Sequence, residues 1–266
     1  MPFTPAHAAA AWPFQRTRLV MSALVVGTFA PDFEYFIRLS PGGGFGHSIL
    51  GAFVLALPLA LAVLWIFHAI VKVPLVALFP TSVQRRLVPH LGRFRFFGPA
   101  RFALIVLSVL VGIATHLLWD SFTHSRSWLY HHWWFLHELS PVHIFGPTQY
   151  YKLFQYASSV IGIVILVVWI RRWYRSTPPS ATVPGTPLSG AQKVAVVSFG
   201  VLLATVGAMV RVLPNAALET GPMPWKKFAG YAIATWIALA WWALVAYGLL
   251  VSRRAAKNTT AATRVG

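Results

Sequence analysis

Long apolar stretches alternate with short polar ones along this chain, and their lengths predict membrane-spanning helices. Six of them approach or exceed the roughly 20 residues that a helix needs to cross a bilayer. They lie at roughly 19–38, 48–71, 101–120, 156–171, 194–213 and 228–251. The first is the least regular, because Pro31, Asp32 and Glu34 lie near its end. The pattern predicts an all-α fold, a polytopic transmembrane helix bundle of about six spans.

The polar stretches divide the chain into segments. STPPSATVPGTPLSG opens residues 176–192, which are rich in Pro, Ser and Thr and have no helical periodicity, and this predicts a cytoplasmic linker. Before it we expect a four-span membrane core at 1–175, which carries nearly all the unusual polar residues. After it we expect two C-terminal spans at 193–252 and a basic flexible tail at 253–266.

Composition and charge agree with a membrane protein. The chain is 57% hydrophobic and only 10% charged, against about 25% charged residues in soluble domains. The net charge of +17 would suit nucleic acid, but the Lys and Arg residues cluster at the ends of apolar runs, as the positive-inside rule expects. With both termini in the cytoplasm, 16 of the 22 Lys and Arg residues lie on the cytoplasmic side. We therefore expect membrane lipids, and no nucleic acid, as partners.

The segment HLLWDSFTH (116–124) raises the question of chemistry. His116, Asp120 and His124 follow one another at intervals of four residues, which places them on one face of a helix. Imidazole and carboxylate are the ligands of Zn or non-haem Fe where no thiol is present, and this chain has no cysteine. An Asp in the middle of a span costs at least ~2.5 kcal/mol on insertion, and a divalent cation would compensate for it. The alternative is a neutral hydrogen-bonded network between helices.

Two other segments bring metal-capable residues to the same predicted membrane face. In APDFEYF (30–36), Pro31 disfavours helical geometry just before Asp32 and Glu34. In PGGGFGHSILG (41–51), the glycines allow a tight loop and His47 opens the next helix. Four of the five acidic residues of the chain belong to this face: Asp32, Glu34, Asp120 and Glu138. Ordinary interfacial carboxylates remain the alternative for the first two.

Four motifs, in the order MPFTPAHAAA, GTFAPDFEYF, GHSILG and THLLWDSFTH, resemble the DUF4184 family of bacterial integral membrane proteins and cover about residues 1–160. That family is distantly similar to bacterial membrane-bound metal-dependent hydrolases, in which an early His, a Pro-Asp-x-Asp, a helix-opening His and a late His with an Asp recur. Here Glu34 stands in place of the second Asp, and Tyr35 in place of the His that follows it. The resemblance implies a divalent metal ion, Zn the likeliest, held by the matching residues: His7, Asp32, His47, His116 and Asp120.

The resemblance also implies where the protein lies and how its amino-terminal region is arranged. It implies a protein of the bacterial cytoplasmic (inner) membrane whose chain crosses that membrane several times. A plain reading of the spans leaves His7 on the cytoplasmic side, away from the other ligands. The resemblance instead favours an N-terminal segment that re-enters the membrane and brings His7 to them.

Three functions compete at this stage. The first is a metal-dependent hydrolase acting on a lipid or lipid-linked (phospho)ester at the outer face, with Glu34 or His124 as general base. The second is a non-catalytic membrane protein that handles ions or protons, or is structural. The third is a membrane di-iron oxidase, but Asp120 interrupts the first histidine box and only His131 and His132 hint at the next. The sequence favours the first, the metal-dependent hydrolase.

Overall fold

The computed structural model describes residues 4–41, 43–144, 146–183, 188–217 and 225–265. Within these ranges five helices are long and apolar enough to cross a membrane: Ile49–Leu78, Pro99–His132, Tyr150–Ser176, Gly190–Pro214 and Lys227–Arg253. The described residues contain no strand, only one isolated antiparallel bridge between Leu139 and Gln149. The predicted all-α transmembrane bundle is therefore confirmed.

In chain order the α-helices are α1 Met21–Gly27, α2 Phe33–Arg38, α3 Ile49–Leu78, α4 Thr81–Leu87, α5 Pro99–Thr123, α6 Trp128–His132, α7 Tyr150–Ser176, α8 Gly190–Ala217 and α9 Trp225–Val265. Two π-helical turns interrupt α3, at Ala52–Ala56 and Phe67–Val71. A 3-10 helix, Thr4–Arg16, precedes α1 and is called the N-terminal segment below. Residues 184–187 of the predicted linker and residue 266 of the predicted tail lie outside the described residues.

The first predicted span, 19–38, is not one continuous helix. α1 ends four residues before Pro31, and the chain makes a short 3-10 turn there before α2 begins. Proline has no N–H, and its ring collides with the carbonyl four residues earlier in an α-helix, so the helix cannot continue. The N–H of Asp32 accordingly donates to Phe29 at 3.0 Å, which leaves the carbonyl of Thr28 outside the helical ladder. In the described ranges, five long spanning helices therefore replace the expected six.

The chain divides into two compact units, the first comprising Met1–Glu34, Gly44–Leu64 and Phe96–Ser176 and the second Tyr35–Gly43, Trp65–Arg95 and Thr177–Gly266. In the second unit, α8 and α9 pack along each other through small buried residues: Ala204, Ala208, Ala234 and Ala238. Small side chains at such contacts are typical of helix packing in membranes, because they let backbones approach closely. The residues predicted to bind metal all belong to the first unit.

In the first unit, α1 and α5 pack with their backbones in direct contact. A Cβ atom on Gly112 would lie 2.3 Å from the carbonyl oxygen of Leu24, and one on Gly27 would lie 2.3 Å from that of Val109. No side chain larger than a hydrogen atom fits at either position. This close packing brings the end of α1, with its unbonded Thr28 carbonyl, against α5.

The N-terminal segment and α1 form a hairpin whose two ends lie together. The hydroxyl of Thr4 donates to Asp32 Oδ2 at 2.6 Å and closes the hairpin. Near its turn, the N–H of Val20 donates to Ser108 Oγ at 2.9 Å. Ser108 lies about 18 Å along α5 from Asp120, at 1.5 Å per residue. The chain thus runs away from the Asp120 end of α5 and returns to it, as a re-entrant segment does.

The N-terminal segment lies against α7. Its small side chains are buried: Ala6, Ala8, Ala9 and Ala11. A Cβ atom on Gly162 of α7 would lie 2.8 Å from the Cβ of Ala6, so a glycine is needed for the segment to fit. This contact holds the beginning of the chain next to the residues described below.

Candidate metal centre

The five predicted metal ligands meet at one place in the first unit: His7 from the N-terminal segment, Asp32 from the 3-10 turn, His47 from the loop before α3, and His116 and Asp120 from α5. They form two triads whose donor atoms lie within 4.8 Å of one another, His7–His116–Asp120 and Asp32–His47–His116. We call these five residues the cluster.

Two imidazole nitrogens lie at the middle of the cluster. The Nε2 atoms of His47 and His116 are 3.3 Å apart. Asp120 Oδ2 lies 3.3 and 3.2 Å from these two nitrogens. Asp32 Oδ1 lies 3.4 Å from the first and 3.7 Å from the second. Two imidazole nitrogens and two carboxylate oxygens therefore lie around one point, and each nitrogen is 3.2–3.7 Å from the other nitrogen and from the oxygens.

The orientation of His116 follows from the broken helix. Its Nδ1 lies 2.8 Å from the carbonyl oxygen of Thr28. A carbonyl can only accept, so Nδ1 carries the proton and donates it. The Nε2 lone pair is then directed into the cluster, in the arrangement that a hydrogen bond to the other ring nitrogen gives to metal-binding histidines.

Asp120 presents its two carboxylate oxygens to different histidines. Oδ2 faces His47 and His116, while Oδ1 lies 3.4 Å from His7 Nε2 and 3.5 Å from His124 Nδ1. Oδ1 is buried and makes no hydrogen bond within the described part of the chain, and the same holds for Asp32 Oδ1. A buried carboxylate oxygen without a donor is costly unless a cation neutralises it.

Charge at the cluster favours a cation. Burial alone would lower the pKa of His47, but the facing carboxylates of Asp120 and Asp32 raise the pKa to about 9. Burial alone would raise the pKa of Asp32, but His47, His116 and the Thr4 hydroxyl lower it. Both shifts have the same physical origin, because the imidazoles and the carboxylates stabilise each other's charged forms. With neutral imidazoles, the two buried carboxylates leave a net negative charge that a cation would offset.

His124 differs from its predicted position. The sequence placed it on the same helical face as His116 and Asp120, but α5 ends at Thr123 and His124 has extended backbone. The pair His116–Asp120 has the predicted helical spacing, whereas His124 reaches Asp120 from just beyond the helix end. Its side chain is 24% exposed and that of His47 19%, against 0–1% for His7 and His116. The cluster is therefore open on the side of His47 and His124.

Glu34, the other predicted general base, supports a loop. Its Oε2 accepts a hydrogen bond from the N–H of Gly46 at 2.9 Å, and Gly46 immediately precedes His47. A Cβ atom on Gly46 would lie 2.5 Å from the carbonyl oxygen of Pro31, so the loop passes directly over the 3-10 turn. This hydrogen bond ties Glu34 to the loop that carries His47.

Two histidines of the aromatic segment 128–137, His132 and His137, make contacts outside the cluster. His132 Nδ1 is hydrogen-bonded to the carbonyl of Trp128, and the two rings stack with centroids 4.1 Å apart. His137 is hydrogen-bonded to the carbonyl of Tyr130. Neither residue belongs to the triads found in the described ranges. The described contacts therefore do not bring His132 or His137 to the cluster.

Sequence reasoning missed Thr4, whose hydroxyl fixes Asp32. Residues three apart eclipse one another along a 3-10 helix, so Thr4 and His7 lie on the same face of the N-terminal segment. The spacing Thr-x-x-His was visible in the motif MPFTPAH. This spacing predicts a shared face only if the segment is a 3-10 helix. Nothing in the sequence indicates one, because 3-10 helices as long as these 13 residues are uncommon.

The donor set fits a divalent transition metal ion. Two ligands bound to one ion at about 2.1 Å in tetrahedral geometry lie about 3.4 Å apart. The measured separations of 3.2–3.7 Å among His47, His116 and the two aspartates bracket this value. Imidazole with carboxylate and without thiolate suits Zn, Fe or Mn.

Comparison with known proteins assigns the chain to a family. A family described as a domain of unknown function, DUF4184, matches residues 1–253, and the chain belongs to this family. No curated protein and no solved structure matches the chain.

Proposed function

We propose that this DUF4184 protein is a membrane-embedded, metal-dependent hydrolase that acts on a lipid or lipid-linked ester at the outer membrane face. The observation that carries the proposal is the convergence of two imidazole nitrogens and two carboxylate oxygens at 3.2–3.7 Å. Charge-assisted hydrogen bonds between such groups would be about 2.7–2.9 Å long. The longer separations favour ligands around an ion over a hydrogen-bonded network.

A divalent ion bound here would polarise the ester and bring the pKa of a coordinated water toward neutrality. His116 and Asp32 are held rigidly for this purpose, by the Thr28 carbonyl and the Thr4 hydroxyl. His47 is held by the loop that Glu34 supports. The side chains therefore need little rearrangement when an ion binds, which favours tight binding.

Access to the cluster favours a lipid substrate. The open side lies at His47, and the residues around His47 in the chain are apolar and exposed: Phe45, Ile49 and Leu50. Beyond His124, three indole rings are exposed in the same unit: Trp128, Trp133 and Trp134. Indole rings prefer the interface between lipid headgroups and acyl chains. An ester at headgroup depth could thus approach the cluster while its chains stay in the membrane.

The orientation and the membrane are part of the proposal. The distribution of Lys and Arg favours the cluster on the outer side of the bacterial cytoplasmic membrane. The distant similarity to metal-dependent hydrolases of that membrane supports the same placement. Zn is the ion we expect, because nitrogen and carboxylate donors at these separations suit its tetrahedral geometry.

The test combines metal analysis with a substrate panel. The full chain is purified in detergent, and its metal content is measured by plasma mass spectrometry together with hydrolysis of phospholipids and lipid-linked phosphates. Asp32→Ala and His47→Ala should lose both metal and hydrolysis, whereas the control His143→Ala, an exposed histidine outside the cluster, should keep both. Bound metal without hydrolysis of any ester in the panel would contradict the enzyme, and no bound metal would contradict the site.

A further inference from the structure

We propose that the cluster holds two metal ions, bridged by the carboxylate of Asp120, and that His7 and His124 bind the second ion. The first ion takes His47, His116, Asp32 Oδ1 and Asp120 Oδ2. The second takes His7 Nε2, Asp120 Oδ1 and His124 Nδ1, which would exchange its 3.3 Å contacts with the Asp120 carbonyl and the Thr123 hydroxyl for the ion. The chemistry of this inference rests on the proposed function, but the number of ions can be measured without any activity.

One argument is the number of lone pairs. His116 belongs to both triads, His7–His116–Asp120 and Asp32–His47–His116. Its Nδ1 is committed to the Thr28 carbonyl, so only Nε2 can bind an ion, and it can bind only one. Nε2 lies closest to Asp120 Oδ2 and His47, at 3.2 and 3.3 Å, and therefore belongs to the first ion. His7 must then serve a different ion, or none.

A second argument is the unused oxygen of Asp120. Oδ1 is buried and has no hydrogen bond within the described residues, although two histidine nitrogens lie 3.4 and 3.5 Å away. These separations are too long for hydrogen bonds to a carboxylate, but match two ligands that share an ion, about 3.4 Å apart.

The rings of His7 and His116 support two neighbouring ions. They stack with centroids 4.0 Å apart and planes inclined by 24°. An ion lies in the plane of the imidazole that binds it, so nearly parallel rings place their two ions on the order of 4 Å apart. That is the spacing of two-metal sites in phosphatases and nucleases, about 3.5–4 Å. A single carboxylate spans such a distance with one oxygen on each ion.

Among lipid esters, two ions favour phosphoesters as the substrate class. A pair of ions can stabilise both the attacking and the leaving oxygen of an in-line displacement at phosphorus. The oxygen of water forms a bond to phosphorus, the bond from phosphorus to the lipid alkoxide breaks, and a proton of the water passes to that alkoxide. The second ion also changes the role of His124, from the predicted general base to a ligand.

The experiment is a count of ions in matched variants of the full chain. Metal-free protein in detergent is dialysed against Zn²⁺ and analysed for bound zinc, while size-exclusion elution and circular dichroism report folding. We expect two equivalents in the wild type and in His143→Ala, one in His124→Ala and in His7→Ala, and fewer than one in Asp120→Ala. With Mn²⁺ in place of Zn²⁺, electron paramagnetic resonance should show a coupled pair in the wild type and an uncoupled ion in His124→Ala.

One equivalent in the wild type, unchanged in His124→Ala, would overturn the second ion and leave the single-ion hydrolase standing. Two equivalents that survive in His124→Ala, together with loss of hydrolysis, would return His124 to the role of general base and overturn its assignment as a ligand. Two equivalents without phosphoester hydrolysis would uphold the two-ion site and contradict the proposed function instead. If a variant folds poorly during zinc dialysis, the Mn²⁺ spectrum shows whether the folded fraction holds one ion or a coupled pair.

Discussion

The Nδ1 atom of His116 lies 2.8 Å from the carbonyl oxygen of Thr28, which is 88 residues earlier in the chain. This one bond connects a break in a helix to the orientation of a ligand. Pro31 ends the helix, the break leaves the Thr28 carbonyl unbonded, and that carbonyl fixes which nitrogen of His116 faces the cluster. The bond depends in turn on how closely α1 approaches α5.

Gly112→Ala should weaken both stability and metal binding, because the new methyl group would collide with the carbonyl oxygen of Leu24, 2.3 Å away. Overpacking of this kind costs about 1–3 kcal/mol. Separation of α1 from α5 would also stretch the bond from Thr28 to His116. Thermal unfolding in detergent and zinc titration measure the two effects. The control is Gly200→Ala in α8, where a Cβ meets nothing within 4 Å and should leave both quantities unchanged or slightly raise stability.

Thr4→Val should lower metal affinity about 10- to 100-fold without unfolding the protein, as losses of hydrogen bonds to metal ligands do. The substitution keeps the size of the side chain but removes the hydroxyl that donates to Asp32 at 2.6 Å. Thr115→Val is the matched control, because the hydroxyl of Thr115 donates to Gly112 within its own helix. Competition with a zinc chelator measures the affinities, and equal values for the two variants would contradict the role of Thr4.

Glu34→Gln should keep most of the metal affinity and activity, whereas Glu34→Ala should lose much of both. The glutamine retains an oxygen that can accept from Gly46, while alanine leaves the loop before His47 unsupported. A general base would behave differently, because an amide cannot take up a proton. Loss of activity in Glu34→Gln with normal zinc content would therefore assign catalysis, and not positioning, to this residue.

Gly162→Ala should affect His7 more than the rest of the cluster. Its new methyl group would lie 2.8 Å from Ala6, which is next to His7, and would displace the N-terminal segment from α7. We expect loss of the second ion and retention of the first, so that bound zinc falls from two equivalents toward one. Equal loss of both ions would indicate instead that the segment supports the whole cluster.

The hairpin leads to a testable prediction about membrane topology. If the hairpin does not cross the membrane, the five long helices make an odd number of crossings, and we expect Thr4 and the tail on opposite sides of it. The Lys and Arg distribution then favours a cytoplasmic tail and an external Thr4, whereas the sequence alone predicted both termini in the cytoplasm. The chain has no cysteine, so single cysteines can be labelled cleanly. An impermeant thiol reagent should label Arg126→Cys in intact cells, Pro179→Cys only after permeabilisation, and an epitope ahead of residue 1 should be accessible from outside.

Hydropathy predicted the five long helices, because their length and apolar content do not depend on tertiary contacts. The spacing of His116 and Asp120 predicted their pairing, because it depends on helix geometry alone. The sequence could not show that α5 ends before His124, since Ser121, Phe122 and Thr123 carry no terminator. Nor could it place His7, whose position depends on the contact of Ala6 with Gly162, far away in the chain.

That contact also sets an order of events during synthesis. Gly162 leaves the ribosome 156 residues after Ala6, so the N-terminal segment is made long before the surface on which it rests. A nascent chain that has inserted α3 and α5 already contains His47, His116 and Asp120, yet lacks the α7 surface that supports His7 beside them. We therefore expect the cluster to be completed when α7 enters the membrane. A metal ion bound as proposed would then be loaded late in biogenesis, after insertion of the first three long helices.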